Sequence, residues 1–150
     1  HGRVGEKINF KGPFGNFVLD KGQSGVVFVS TGTGIAPMMS MLRHLLHENF
    51  GGNVWFFYGC RSDDDFLYKK ELNEYGKKFK NFELHVSFSK AMLDGRMGYI
   101  QEVVKAFENF PQKKETIHAY ICGNPASVQQ QIEALKQKGF GEKNIHFEKW

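Results

Sequence analysis

Short apolar runs alternate along the chain with longer segments in which apolar residues recur every three or four positions. The runs are rich in β-branched and aromatic residues, and they predict buried strands over 26–30, 54–58, 82–88, 117–122 and 145–147. The periodic segments predict helices over 36–49, 65–79 and 99–110, and a fourth that opens at Asn124-Pro125 and ends at Gly139. Strands that alternate with helices are typical of a parallel sheet with helices on both faces. The pattern therefore predicts a three-layer, doubly wound, five-stranded α/β fold.

The first 25 residues do not continue this alternation. Residues 7–11 and 16–19 have the pattern of two short strands around a Gly-Pro turn, and an isolated strand pair is marginally stable. We interpret this part as the end of a preceding β domain. The predicted organisation is a β remnant, a linker and an α/β domain, over 1–20, 21–25 and 26–150.

Composition excludes several classes of protein. The 150 residues suffice for one globular domain, and 41% of them are hydrophobic. The net charge of +4 comes from lysines interspersed with acidic residues, without a nucleic-acid-binding motif, so we expect no nucleic-acid partner. No apolar run approaches the ~20 residues of a membrane span. Two cysteines exclude a disulfide framework and fit a reducing compartment.

Metal-binding and nucleophilic constellations are not evident. His44 and His47 lie about one turn apart on the first predicted helix, but no further ligand accompanies them at a metal-binding spacing. We therefore predict solvated histidines and no metal site.

The most informative segment follows the first strand and reads Ser30-Thr31-Gly32-Thr33-Gly34-Ile35-Ala36-Pro37. Glycines at a strand-to-helix turn let the backbone approach a ligand, and the helix N-terminus offers free N–H groups to a phosphate. The pattern is Gly-x-Gly-x-Ala, shorter than the full dinucleotide fingerprint, and no acidic residue closes the second strand. On these residues alone, a dinucleotide site and an unliganded turn both remain open.

Four motifs and a terminal aromatic residue follow one another in order. They are Gly12-Pro-Phe-Gly15, Gly32-Thr-Gly-Ile-Ala-Pro37, Tyr58-Gly-Cys-Arg61, Cys122-Gly-Asn-Pro125 and Trp150. The ordered set resembles the nicotinamide-binding half of the ferredoxin–NADP⁺ reductase superfamily. This resemblance implies a sheet order of 3-2-1-4-5. The flavin-binding Arg-x-Tyr-Ser/Thr motif of the family is absent, so FAD is expected to be held by a domain that this sequence lacks.

The resemblance also implies roles for the two loops that flank the crevice between strands one and four. The implied cofactor-binding residues there are Thr31, Gly32, Thr33, Gly34, Pro37, Cys122, Gly123, Asn124 and Pro125. By the same resemblance, Cys122 packs beside the nicotinamide during hydride transfer and Trp150 covers the flavin ring, which makes both candidate catalytic residues. The alternatives are a small buried core residue at Cys122 and an aromatic that closes the sheet edge at Trp150.

The adenosine end of the cofactor is expected near Arg61 and Ser62, after the second strand. Arg61 could pair with the 2′-phosphate of NADPH, lie over the adenine or be solvated, and Arg96 is a second candidate cation. Tyr68 resembles the family aromatic that flanks the adenine. Residues 63–65 are three aspartates, which argue against a phosphate unless they form an N-cap and first helical turn.

Two further segments bear on the choice of nicotinamide cofactor. Tyr58-Gly-Cys-Arg61 and the ending Phe147-Glu-Lys-Trp150 resemble the NADH-using reductases of oxygenases, and we favour NADH over NADPH.

The implied strand order gives a test with the cysteines. Cys60 and Cys122 end strands two and four, with strand one between them, which separates them by roughly 10 Å. Since a disulfide requires Cα atoms within ~7 Å, we predict two free thiols.

The implied function is hydride transfer from nicotinamide C4 to flavin N5, with electrons passing on to an acceptor protein or a quinone. The implied partners are an FAD-binding domain of the same polypeptide and that acceptor. The expected location is the cytoplasm or the cytoplasmic face of a membrane complex. The alternative is a non-catalytic nucleotide-binding or interaction domain with the same fold.

Overall fold

The structure is a computed structural model that describes residues 3–12, 14–90 and 98–149. Strands and helices alternate through it as predicted. The strands are β1 Gly25–Thr31, β2 Asn53–Cys60, β3 Phe82–Phe88, β4 Ile117–Gly123 and β5 Ile145–Lys149. The helices are α1 Ile35–His47, α2 Lys69–Lys78, α3 Ile100–Ala106 and α4 Pro125–Gln137, with 3₁₀ turns at Gly32–Gly34 and Glu142–Asn144.

The five strands form one parallel sheet in the order β3-β2-β1-β4-β5. This confirms the order that the resemblance implied. β1 lies at the centre, where Phe28 pairs with Phe56 of β2 on one side and with Tyr120 of β4 on the other. Since β1 is covered on both faces, its Val-Val-Phe-Val run is completely buried.

Successive residues of β1 point to opposite faces of the sheet and divide the core in two. Val26 and Phe28 pack with α1 and α2, whereas Val27 and Val29 pack with α3 and α4. The three layers predicted from the sequence are therefore present.

Two predicted helices are shorter in the structure. The prediction that residues 65–79 are helical is wrong at its start, because two turns, closed by Asp65 N–H to Ser62 O and Phe66 N–H to Asp63 O, precede α2. The aspartates therefore lie in turns and form neither an N-cap nor a first helical turn. The prediction for 99–110 is wrong at its end, because the backbone is extended at Phe107.

The N-terminal segment differs most from its prediction. Residues 3–12 and 14–24 contain no helix or strand, so the predicted strands over 7–11 and 16–19 are wrong. The alternating side chains find no sheet to cover, and Ile8 and Phe10 are 75% and 91% exposed. The end of the segment does contact the sheet, since Phe17 packs edge-on against Tyr120 with ring centroids 6.1 Å apart. Its interpretation as the end of a β domain remains a prediction.

Both cysteines are free, as predicted, and both are buried. The described helices reach at most 13 residues, and none of them is long and apolar enough to cross a membrane.

Candidate dinucleotide-binding site

A cavity of about 860 Å³, here called the crevice, opens at the carboxyl ends of the central strands. β1 and β4 are neighbours in the sheet, but the helices that follow them, α1 and α4, pack on opposite faces. Ligands of open α/β sheets bind at such a switch point. Its lining residues are Thr31, Gly32, Thr33, Gly59, Cys60, Arg61, Asp64, Asp65, Leu67, Ser87, Ser89, Gly98, Tyr99, Ile100, Gln101, Asn124, Ala126, Ser127 and Gln130.

The loop from Thr31 to Gly34, here called the glycine loop, forms one lip of the crevice. Gly32 has a φ of +53°, in the left-handed region that favours glycine. At Gly34 a side chain is excluded for another reason, because a Cβ there would collide with the carbonyl oxygen of Cys122. The glycine loop is therefore pressed backbone to backbone against the end of β4.

The loop from Cys122 to Pro125, here called the second lip, leads into α4. Asn124 is the N-cap of that helix, and its side chain accepts a hydrogen bond from the Ser127 N–H at 3.0 Å. Gly123 leaves room for the Thr31 side chain, since a Cβ at Gly123 would collide with Thr31 Oγ1. The two lips are therefore in close contact at Gly34 and at Gly123, where a larger residue would collide with the opposite lip.

The two lips bring the N-termini of α1 and α4 to the same crevice. Each of these helices has 13 residues, and the unpaired N–H groups of a helix N-terminus carry partial positive charge. Ala126 and Ser127, in the first turn of α4, line the crevice together with Gly32 and Thr33. The arrangement suits a pyrophosphate, because it offers backbone donors without a competing acidic side chain in either lip.

The opposite side of the crevice is acidic. Asp64 and Asp65 line it beside the exposed Arg61. The Asp65 carboxylate accepts a hydrogen bond from Ser62 Oγ at 2.7 Å, which orients it without neutralising it. The crevice therefore has a positive pole at the two lips and a carboxylate pair at the far side.

Comparison with known proteins gives the same assignment. Residues 28–133 match the family model of the oxidoreductase NAD-binding domain. The chain belongs to this family. The NAD-binding domain is 33% identical over 151 residues to a subunit of the Na⁺-translocating NADH-quinone reductase of Neisseria meningitidis, covering 95% of this chain and 37% of that protein. It is 34% identical to the reductase component of propane 2-monooxygenase of Mycolicibacterium goodii, covering 85% of this chain and 38% of that one.

A solved structure supports the resemblance inferred from the motifs. The NAD-binding domain superposes on ferredoxin–NADP⁺ reductase of Plasmodium falciparum with a TM-score of 0.70 and 27% identity, covering 91% of this chain and 59% of that one. Membership of the ferredoxin–NADP⁺ reductase superfamily is thereby confirmed. The chain spans less than half the length of the two curated relatives.

The structure brings most of the predicted site residues of the NAD-binding domain to the crevice or to its lips. Those that line the crevice are Thr31, Gly32, Thr33, Arg61 and Asn124. Gly34, Cys122, Gly123 and Pro125 belong to the lips without lining the crevice, and Pro37 lies in the first turn of α1. Ser62 binds Asp65 on the opposite side of the crevice. Arg96 and Trp150 lie outside the described residues, and their roles stay predictions.

Tyr68 lies apart from the crevice, at the N-cap of α2 with a φ of +56°. The guanidinium carbon of Arg43 lies 5.4 Å from the centroid of its ring, and Arg43 itself forms a bidentate ion pair with Glu71. The predicted contact of Tyr68 with an adenine thus requires a ligand that extends past the lining residues.

The two cysteines have different positions around the crevice. Cys122 is 2% exposed and lies behind Gly34, while Cys60 contributes to the lining. Burial raises the pKa of Cys122 to about 11 and that of Cys60 to about 12, with nearby carboxylates adding to both shifts. Both thiols are therefore protonated at neutral pH and act as small neutral groups, not as nucleophiles.

Sequence reasoning missed the side of the crevice formed by β3, α3 and α4. Ser87 Oγ is buried and has no hydrogen-bond partner within residues 3–12, 14–90 and 98–149. Gln101 and Gln130 line the same side, joined by a hydrogen bond of 3.0 Å. One signal was available, because Ser87 lies at the carboxyl end of a parallel strand, where ligands of this fold bind.

Proposed function

We propose that this domain binds NADH in the crevice and presents the nicotinamide to an FAD held by another domain of the same polypeptide. The observation that carries the proposal is the placement of two helix N-termini at one glycine-lined switch point. When bound, the two cofactors supply the chemistry, which is hydride transfer from nicotinamide C4 to flavin N5. Electrons then pass to an acceptor protein or a quinone.

The residues of this chain bind the dinucleotide and orient its nicotinamide. The N–H groups of the glycine loop and of Ala126, in the first turn of α4, bind the pyrophosphate. Thr31, Asn124 and Ser127 supply hydroxyl and amide groups beside it, and the Ser87 hydroxyl is available to a polar group of the ligand. Cys122 supports the glycine loop, which fixes where the nicotinamide end can lie. The contribution of the domain is therefore positioning and electrostatics.

The acidic side of the crevice favours NADH over NADPH. Among the described residues that line the crevice, a 2′-phosphate near Asp64 and Asp65 would face two carboxylates and only one cation, Arg61. Like charges in a partly enclosed cavity repel, whereas a ribose hydroxyl can donate a hydrogen bond to a carboxylate. Relatives named as part of an NADH-quinone reductase support the same choice.

The N-terminal segment supports a further domain as partner. Val4, Ile8, Phe10, Phe14 and Val18 are all more than 60% exposed. An exposed series of apolar side chains marks an interaction surface. We assign the FAD-binding domain as the partner that covers this surface. The two free thiols fit a reducing location, either the cytoplasm or the cytoplasmic face of a membrane complex.

The test is NADH-dependent bleaching of the flavin absorbance in the full-length polypeptide, compared with NADPH. Rapid reduction by NADH is expected. NADH binding without flavin reduction would favour the alternative of a non-catalytic nucleotide-binding module.

The cofactor preference is tested in the double variant D64N/D65N. The preference for NADH is expected to fall about tenfold, which corresponds to roughly 1.4 kcal/mol. The control D63N removes one negative charge from a neighbouring carboxylate that pairs with Lys69 and does not line the crevice. An unchanged preference in D64N/D65N, or an equal change in D63N, would contradict the assignment.

A further inference from the structure

Three ligand-type side chains meet at the face of the sheet where the N-terminal segment joins the domain. Asp20 precedes β1, His118 lies in β4 and His146 lies in β5. We call them the histidine cluster. Their side chains are 47%, 16% and 25% exposed, so the cluster is half-buried and accessible.

The three ligand atoms form a small triangle. His118 Nδ1 lies 3.0 Å from His146 Nε2, and Asp20 Oδ2 lies 3.2 Å from the first nitrogen and 3.3 Å from the second. A metal with bonds of ~2.0–2.1 Å places adjacent ligand atoms about 3.3 Å apart in a tetrahedron and about 2.9 Å apart in an octahedron. The triangle therefore has the dimensions of three ligands on one metal ion.

Hydrogen bonding alone cannot make all three contacts among Asp20, His118 and His146 attractive at once. A single N–H on one imidazole can donate to the other ring, but the accepting nitrogen then lies within 3.3 Å of the Asp20 carboxylate with no proton between the two acceptors. If both nitrogens carry protons to Asp20, the two N–H groups face each other across 3.0 Å. A cation among the three atoms makes every contact attractive.

The two imidazole rings face each other through their nitrogen edges. Their planes differ by 15° and their centroids lie 5.2 Å apart, while the facing nitrogens lie 3.0 Å apart.

Tyr120 holds the cluster in position. Its hydroxyl accepts a hydrogen bond from the Asp20 N–H at 2.8 Å and donates one to Gln23 Oε1 at 2.9 Å. Its ring lies parallel to that of His146, with centroids 4.9 Å apart. The backbone of Asp20 and the ring of His146 are thereby fixed by one residue before any ligand arrives.

We propose that Asp20, His118 and His146 bind one divalent transition-metal ion of the Zn²⁺ and Co²⁺ class. Two imidazoles and one carboxylate suit such an ion, whereas Mg²⁺ and Ca²⁺ prefer oxygen ligands. Water completes the coordination on the exposed side. The bound ion ties the segment before β1 to β4 and β5, at a position separate from the residues that line the crevice.

The first test is titration of the metal-free 150-residue chain with Co²⁺, followed by its visible absorption, with Zn²⁺ as competitor. His1 is replaced by Gln in every sample, so that the N-terminal histidine contributes nothing. One Co²⁺ per chain, displaced by Zn²⁺ and not by Mg²⁺, is expected. No spectrum at millimolar Co²⁺, or displacement by Mg²⁺, overturns the proposal.

Variants locate the site. H118Q and H146Q are each expected to weaken Co²⁺ binding at least about 100-fold, since even outer partners of metal ligands contribute 10–100-fold. The double variant H44Q/H47Q removes two exposed histidines from α1 and should bind Co²⁺ normally. Binding that survives in H118Q and H146Q, or is lost in H44Q/H47Q, overturns the assignment.

The variant D20N separates the loss of a metal ligand from a loss of folding. Asp20 is exposed and outside the sheet, so its replacement leaves the core intact, and circular dichroism of each metal-free variant checks this. Weaker Co²⁺ binding by folded D20N supports a three-ligand site. Unchanged binding by D20N overturns it.

Discussion

The crevice and the histidine cluster are built from different parts of the chain. The crevice is made largely of backbone, at two lips where Gly34 and Gly123 allow close approach. The histidine cluster is made of side chains from three segments, and its backbone is ordinary strand and loop. A backbone site requires particular residues in consecutive positions and so leaves a motif in the sequence. A side-chain cluster assembled by the tertiary fold leaves none.

The largest effect that separates the two regions is expected from G34A. The new Cβ collides with the Cys122 carbonyl, which cannot move without disturbing β4, so a loss of about 2–3 kcal/mol of stability is expected. NADH should bind about tenfold more weakly, while the affinity for Co²⁺ stays unchanged. Chemical denaturation and calorimetric titration measure the two.

The matched control for G34A is G76A in α2, where a Cβ meets no atom within 4 Å. That change should stabilise the protein by roughly 0.5–1 kcal/mol, since glycine is unfavourable inside a helix. A G34A protein as stable as G76A would refute the backbone contact between the lips.

A smaller effect, in the other region, is expected from Y120F. The variant loses the hydroxyl that binds the Asp20 N–H and Gln23, at a cost of about 1 kcal/mol. Co²⁺ affinity should fall while NADH affinity does not change. Y75F, which loses a hydroxyl bonded to Glu71, serves as a control and should leave Co²⁺ binding intact. If Y120F and Y75F bind Co²⁺ equally well, Tyr120 does not position the cluster.

The effect that is smallest at neutral pH, and grows only at alkaline pH, concerns the thiols behind and within the crevice. Burial raises the pKa of both Cys60 and Cys122 above 9.0, their ordinary value. A raised pKa in the folded state means that stability is complete below pH 9 and falls as the pH rises toward 11 and 12. Stability measured from pH 8 to pH 11 should therefore decline less in the double variant C60S/C122S. An equal decline in both proteins would show that the thiols ionise as readily in the folded chain as in the unfolded one.

The sequence was sufficient for the sheet and for the two lips, but not for the rest of the site. The Val26–Val29 run and the Gly32–Gly34 turn are local, so pattern and motif located both. Ser87 and Gln101 were missed because only strand order brings them to the crevice. The strand prediction for residues 7–11 is wrong because its evidence was purely local. Their alternating pattern forms a strand only beside a neighbouring sheet, which the described residues do not provide.

The contact between Gly34 and Cys122 also bears on how fast a ligand can bind. With their backbones touching, the glycine loop and the second lip move as one body, so the pyrophosphate-binding donors are already arranged before the ligand arrives. The lips themselves therefore lose little conformational entropy on binding. Association at this pole should accordingly be limited by diffusion and orientation, without a slow conformational step.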